Sequence, residues 1–189
     1  MKVHLIAVLW LALLGGCASP PLAPSTGARV GPASVEWSFQ GRVGIKTADQ
    51  SMSGNIHWRH RADMDELLMT SPLGQGVARV ERNADGVTLD VPNQPSRHSY
   101  DAESLTHEVL GYGLPVSGLA WWVQAQPAPG RVFEIVARDE AGRITQLKQD
   151  GWVIDYLQYS AEMPVRPRKL VVARDGLEIR LVADDWRSE

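Results

Sequence analysis

The chain has 189 residues and only one cysteine, Cys17. An internal disulfide is therefore impossible, and zinc sites built on several cysteines are excluded. A surplus of positive charge is also missing: 19 Lys and Arg stand against 22 Asp and Glu, for a net charge of -3. No broad basic surface is available to neutralise phosphates, so no nucleic-acid partner is expected. The only long apolar run is Leu5 to Leu14, ten residues that rise about 15 Å as a helix, roughly half the hydrocarbon thickness, and so are too short for a permanent span. The sequence contains no Gly-x-Ser-x-Gly elbow, phosphate loop or dinucleotide fingerprint, which argues against an enzyme and against a cofactor. With 44% hydrophobic and 22% charged residues and no internal repeat, the composition is that of one globular domain,.

The amino terminus has an order of its own. Lys2, the apolar run and then Gly15-Gly16-Cys17-Ala18-Ser19 follow one another as in an export signal,. Leu13-Leu14-Gly15-Gly16-Cys17 resembles the bacterial lipobox. That resemblance implies removal of residues 1–16, a lipid-modified Cys17 as the first mature residue, and palmitate or similar acyl chains on it. Two or more chains anchor a protein firmly, at about 0.8 kcal/mol per buried CH₂. Ala18 stands where lipoproteins kept in the inner membrane commonly have Asp, which implies onward export to the outer membrane and an anchored position on its periplasmic face. Residues 18–34 are rich in Pro, Ser, Gly and Ala without periodicity. Together with Cys17 they read as a tether of about 20–25 Å coil dimension, leaving 35–189 as the folded domain.

Within that domain 17 Gly, 12 Pro and 7 Trp, counted over the whole chain, favour strands and turns,. Residues 35–46 alternate with period 2, as do 51–59, and the two segments should form a hairpin. Further strands are expected at 66–71, 77–82, 87–91, 131–138, 143–149, 152–159, 169–174 and 177–183, making ten. Asp85-Gly86, Asp150-Gly151 and Asp175-Gly176 supply the positive φ of tight hairpin turns, so the sheet should be antiparallel. Two helices are expected, over 101–112 with Asp101 as N-cap and over 117–124. The fold class is thus mainly β: ten antiparallel strands in a barrel-like sheet with a helical cover.

Few residues suggest chemistry. His57 and His60 are three apart on a strand, so they point to opposite faces and cannot share a metal; both read as solvated. Asp65-Glu66 and Asp184-Asp185 read as surface charges. The unusual feature is the apolar inventory: Trp37, Trp58, Trp121, Trp122, Trp152 and Trp186 together with Phe39, Met52, Met69 and Tyr156. These residues are compatible with a filled core or with a greasy cavity, and the sequence alone leaves both open. Composition alone would fold Leu73, on the loop Thr70-Ser71-Pro72-Leu73-Gly74-Gln75-Gly76, back onto the core edge.

The lipobox, the segment Leu-Leu-Met-Thr-Ser-Pro-Leu-Gly (residues 67–74), the helical region 101–123 with Gly113-Leu114-Pro115 and Trp121-Trp122, and the closing Asp185-Trp186 together resemble the LolB family of outer-membrane lipoprotein receptors. The resemblance implies an incomplete barrel of about eleven strands whose apolar cavity takes acyl chains. The partners it implies are a LolA-like periplasmic carrier, acylated lipoprotein cargo and outer-membrane lipid, with the protein itself a monomer. It also reverses the expectation for Leu73, which becomes an exposed membrane-insertion residue flanked by Pro72 and Gly74. Choosing one strand face as concave gives the expected acyl-chain lining: Phe39, Val43, Ile45, Ile56, Trp58, Met69, Leu89 and Ile154, with Leu105, Val109, Leu119 and Trp122 from the lid. The rival reading is a structural or assembly envelope lipoprotein with a filled apolar core that docks another envelope protein.

Overall fold

A computed structural model describes residues 33–188; the export segment, Cys17 and most of the tether lie outside them. Six strands come first: β1 (Glu36–Lys46), β2 (Ser51–Arg61), β3 (Met64–Thr70), β4 (Gly76–Asn83), β5 (Gly86–Asp90) and β6 (Arg97–Ser99). Helices α1 (Ala102–Leu110) and α2 (Val116–Trp122) come next. The chain then returns through β7 (Phe133–Arg138), β8 (Ile144–Gln149), β9 (Trp152–Tyr159), β10 (Pro167–Arg174) and β11 (Leu177–Ser188). All pair antiparallel in one 11-stranded sheet, ordered β6-β5-β4-β3-β2-β1-β11-β10-β9-β8-β7. The pairing of β1 with β11 joins the two halves, whereas β6 and β7 are the free edges. The sheet therefore curls without closing, and the helices are the link between its two edges.

Alternation along the strands decides which face is inside. In β1 the odd residues Trp37, Phe39, Val43 and Ile45 are buried, and in β2 the even residues Gly54, Ile56, Trp58 and His60 are. Curvature needs places where neighbouring backbones come close. At Gly41 the β1–β11 register shifts, and an added Cβ would collide with the carbonyl oxygen of Val182; at Gly54 it would collide with that of Thr70. Only glycine fits at these two bends.

Two of the expected turns have the anticipated geometry. Asp150-Gly151 (φ 52° and 77°) and Asp175-Gly176 (φ 49° and 82°) have both residues left-handed, as two-residue hairpins of the primed type require,. Asp85-Gly86 differs: the turn residues are Ala84 and Asp85, and Gly86 (φ 133°) already begins β5. The eleventh strand, β6, is three residues long, too short to display alternation. The last strand runs to Ser188 instead of ending at Ala183, because Asp184 is the extra residue of the bulge and pairing resumes at Gln40 with Asp185. The acidic pair hides this continuation in the sequence. Strand β7 starts at Phe133, two residues later than expected, and α2 starts one residue earlier, at Val116.

Helix α1 is capped as its sequence suggests. The Asp101 carboxylate accepts a hydrogen bond from Ser104 N at 2.7 Å, which holds that carboxyl below its usual pKa, and left-handed Gly111 (φ 83°) ends the helix,. Thr106, fully buried, ties the helix to the connection leading into α2 by accepting from Leu114 N at 2.8 Å.

Candidate functional site

The concave face is mostly apolar. Phe39, Val43 and Ile45 from β1, Ile56 and Trp58 from β2, Met69 from β3, Leu89 from β5 and Ile154 from β9 are buried there, and Leu105, Leu119 and Trp122 close over them from the helices. Val109 packs against the same cluster but is only partly buried. These side chains belong to one buried apolar cluster shared by the sheet and the lid. The two indoles among them are held by their polar edges. Trp122 Nε1 donates to Gln149 Oε1 at 2.8 Å, and its carbonyl accepts from Tyr156 at 3.0 Å; burial raises the Tyr156 phenol well above its ordinary pKa. Gln149 is itself buried and spans to the backbone of Ala128 through both amide atoms.

Trp58 is held differently, and here two expectations are corrected. Asp65 is 3% exposed and His60 7%, so neither is a solvated surface group. The Asp65 carboxylate accepts from Trp58 Nε1 at 2.9 Å and from Arg82 Nε at 2.7 Å, and His60 Nδ1 lies 2.8 Å away. His57 is half-buried and points to the other face, so the pair does not converge. The physical reason is the register: Asp65 sits opposite His60 on β2 and Arg82 on β4, on the inner face, where a carboxylate persists only with charged and N–H donors around it,. Glu66, one residue on, faces outward and pairs with Arg79. Asp184 and Asp185 are exposed, as expected. Beside this network Trp37, Phe39, Trp58 and Trp186 nest with ring centroids 5.0–6.0 Å apart, sealing that end of the sheet.

At the opposite end the helical lid meets the rim over a concavity of about 1030 Å³. It lies between the β1–β2 loop, the β10–β11 turn and α1, and its lining includes none of the twelve residues expected to contact acyl chains. Sequence reasoning missed this rim because its residues come from four distant segments. Three contacts hold the lid to it. Arg174 forms an ion pair with Glu103 and stacks over Trp152, 4.2 Å from the ring centroid; Gln50 Nε2 donates to the Leu110 carbonyl at 3.3 Å; and the Tyr112 hydroxyl meets Met52 Sδ at 3.0 Å, its pKa raised by burial.

Leu73 does not fold back onto the core. Its side chain is 90% exposed, with Pro72 and Gly74 exposed beside it. The loop that carries it is nonetheless built: Ser71 N donates to Gln75 O at 2.7 Å, Gly74 N to Ser71 O at 2.9 Å and Gln75 N to Ser71 Oγ at 3.2 Å, and Gly74 takes φ 83°. A fixed turn thus holds one large aliphatic side chain out in solvent, which surface chemistry alone does not favour. Among the described residues no helix is long and apolar enough to cross a membrane.

The sequence and the fold have known relatives. Residues 35–186 match the family described as Outer membrane lipoprotein LolB. An outer-membrane lipoprotein LolB of Thiobacillus denitrificans is 53% identical over 187 residues, covering 99% of this chain and 98% of the relative. That of Cupriavidus pinatubonensis is 36% identical, covering 91% and 88%. A crystal structure of a LolA superfamily protein from Nitrosomonas europaea shares the fold, with TM-score 0.54 at 7% identity, over 85% of this chain and 89% of that one. The family match spans the sheet from its first strand into its last, and the chain belongs to the LolB family of outer-membrane lipoproteins.

Proposed function

We propose that this protein receives acylated lipoproteins from a LolA-type periplasmic carrier and inserts them into the inner leaflet of the outer membrane, where an acylated Cys17 anchors it. It acts without covalent chemistry, as a monomer. The observation that carries this reading is the unclosed, deeply apolar concave sheet, covered by the α1–α2 segment that links its free edges. A sixteen-carbon chain in water exposes about 12 kcal/mol of unfavourable surface, so cargo must pass from one apolar site to another. Transfer needs no nucleotide if affinity rises from carrier to receptor to membrane. The inner-face residues from Phe39 to Ile154, with Leu105, Val109, Leu119 and Trp122, accept the chains as the lid lifts from the rim, exchanging contacts with one another for contacts with hydrocarbon. Leu73, on its Pro72–Gly74 turn, then enters the lipid.

The rival, an assembly protein with a permanently filled core, predicts a different result in a simple assay. A fluorescent fatty acid bound by the protein should be displaced by lipoprotein acyl chains under the transfer reading. No saturable probe binding by the folded protein would refute it.

A further inference from the structure

Resting on the reading of Leu73 as the membrane-insertion residue, we infer that the anchored protein delivers cargo only after turning end over end, and that the number of residues between Cys17 and Ser34 sets whether it can.

At Ser34 the chain is fixed to the domain. Its amide donates to Gln124 Oε1 at 2.7 Å and its hydroxyl accepts from the Arg166 guanidinium at 2.7 Å, so the tether leaves from a pinned point beside the start of β1. Strand order fixes where Leu73 lies relative to that point. β1 and β3 each pair antiparallel with β2 and so run the same way, and Leu73 comes just after the far end of β3. Thr70 is level with Asn55, which is level with Arg42, eight residues beyond Ser34. At about 3.3 Å per residue this separation is about 26 Å along the strands, before the loop adds a few more. The rim concavity, lined by residues 47–50 and 175–177, belongs to the same far end. The rim concavity and the insertion residue thus share one end of the molecule, and the anchor point is at the other.

This layout constrains how the domain is oriented. With the Ser34 end against the membrane, the rim where the lid meets the sheet and Leu73 face the periplasm, as receiving from a soluble carrier demands. Bringing the far end down onto the bilayer that holds Cys17, so that Leu73 enters it end-on, raises Ser34 about 30 Å above the surface, the strand separation plus the loop. From Cys17 to Ser34 there are 17 residue steps, 34 less 17. Fully extended, they reach about 56–61 Å at most. The connection therefore suffices, and about nine steps would be the minimum.

The test uses the full acylated chain in vesicles, with loaded carrier as donor and labelled bare vesicles as a second acceptor. Deleting residues 20–31 leaves five steps, about 17 Å. This variant should unfold as wild type does and take cargo from the carrier, yet lose at least tenfold in delivery to its own vesicle, with its remaining delivery confined to bare vesicles. Deleting residues 24–27 leaves thirteen steps, about 44 Å, and should be neutral. Replacing 20–31 by twelve Gly and Ser residues should restore delivery, since length is what matters. Full own-vesicle delivery by the five-step variant, while Leu73→Glu remains blocked, would overturn the turning step and leave the loop reading intact. Wild-type delivery by Leu73→Glu would remove the loop reading and this inference together.

Discussion

Replacing Leu73 with Glu separates accepting cargo from delivering it. Because the side chain is 90% exposed and touches no part of the core, the change should cost at most about 0.5 kcal/mol of stability,. For a domain of this size that is a Tm shift of about 1–2 °C. Had Leu73 been a core residue, loss of roughly 2 kcal/mol of burial plus the desolvation of a carboxylate would lower Tm by about 8–16 °C. In the membrane the magnitudes reverse. Burying a leucine side chain in hydrocarbon is worth about 2 kcal/mol, roughly thirtyfold in occupancy, and a carboxylate at the same depth adds several kcal/mol against insertion. Delivery to liposomes should therefore fall at least thirtyfold while transfer from the carrier is unchanged. Leu73→Met should keep most of the activity, and Leu73→Ala should fall between. Melting, carrier-to-receptor transfer and receptor-to-liposome transfer are measured on one preparation of each variant. A folded Leu73→Glu protein that delivers at the wild-type rate refutes the reasoning, as does a loss of delivery that merely tracks Tm across the series.

Trp122→Glu places a carboxylate under the lid beside Gln149 and should abolish fatty-acid binding; a cooperatively folded variant that binds the probe normally would remove Trp122 from the acyl site,. Asp65→Ala strips Trp58, His60 and Arg82 of their shared acceptor and should cost about 3–5 kcal/mol in a urea titration, whereas a cost under about 1 kcal/mol would show that the buried network is not holding the sheet end,. Asp101→Ala should cost about 1 kcal/mol through the lost N-cap,. Since the Asp101 pKa is lowered on folding, its contribution is complete above the ordinary carboxylate range and fades as pH falls through it,. The wild-type advantage over Asp101→Ala should accordingly shrink below about pH 4, and an advantage that grows on acidification would contradict the cap assignment. Cys17→Ala should leave an unprocessed precursor without acyl chains, checked by detergent partitioning and the mass of the N-terminus; an unmodified mature N-terminus elsewhere in the wild-type chain would end the lipoprotein assignment.

The sequence by itself determined what is periodic or local. Period-2 alternation in 35–46 and 51–59 identified the first hairpin and sorted its side chains into two sets without saying which is inward, because a side chain on a strand has only two faces to choose between. Asp150-Gly151 and Asp175-Gly176 located two turns through their φ values, and Asp101 and Gly111 bounded α1 through capping chemistry. The motif around residues 67–74 and the lone cysteine carried the family. Tertiary structure decided what depends on register between distant strands. Asp65 looked like a surface charge until β2 and β4 brought His60, Trp58 and Arg82 around it. Strand β6 has too few residues to show a period, and the end of β11 is masked by a bulge at Asp184. The sheet's curl, which makes the Trp face the concave one, depends on close approaches at Gly41 and Gly54 that no local pattern announces. The separation of Ser34 from Leu73 is likewise a product of strand order, since 39 residues of chain, 73 less 34, fix no distance until pairing sets their direction.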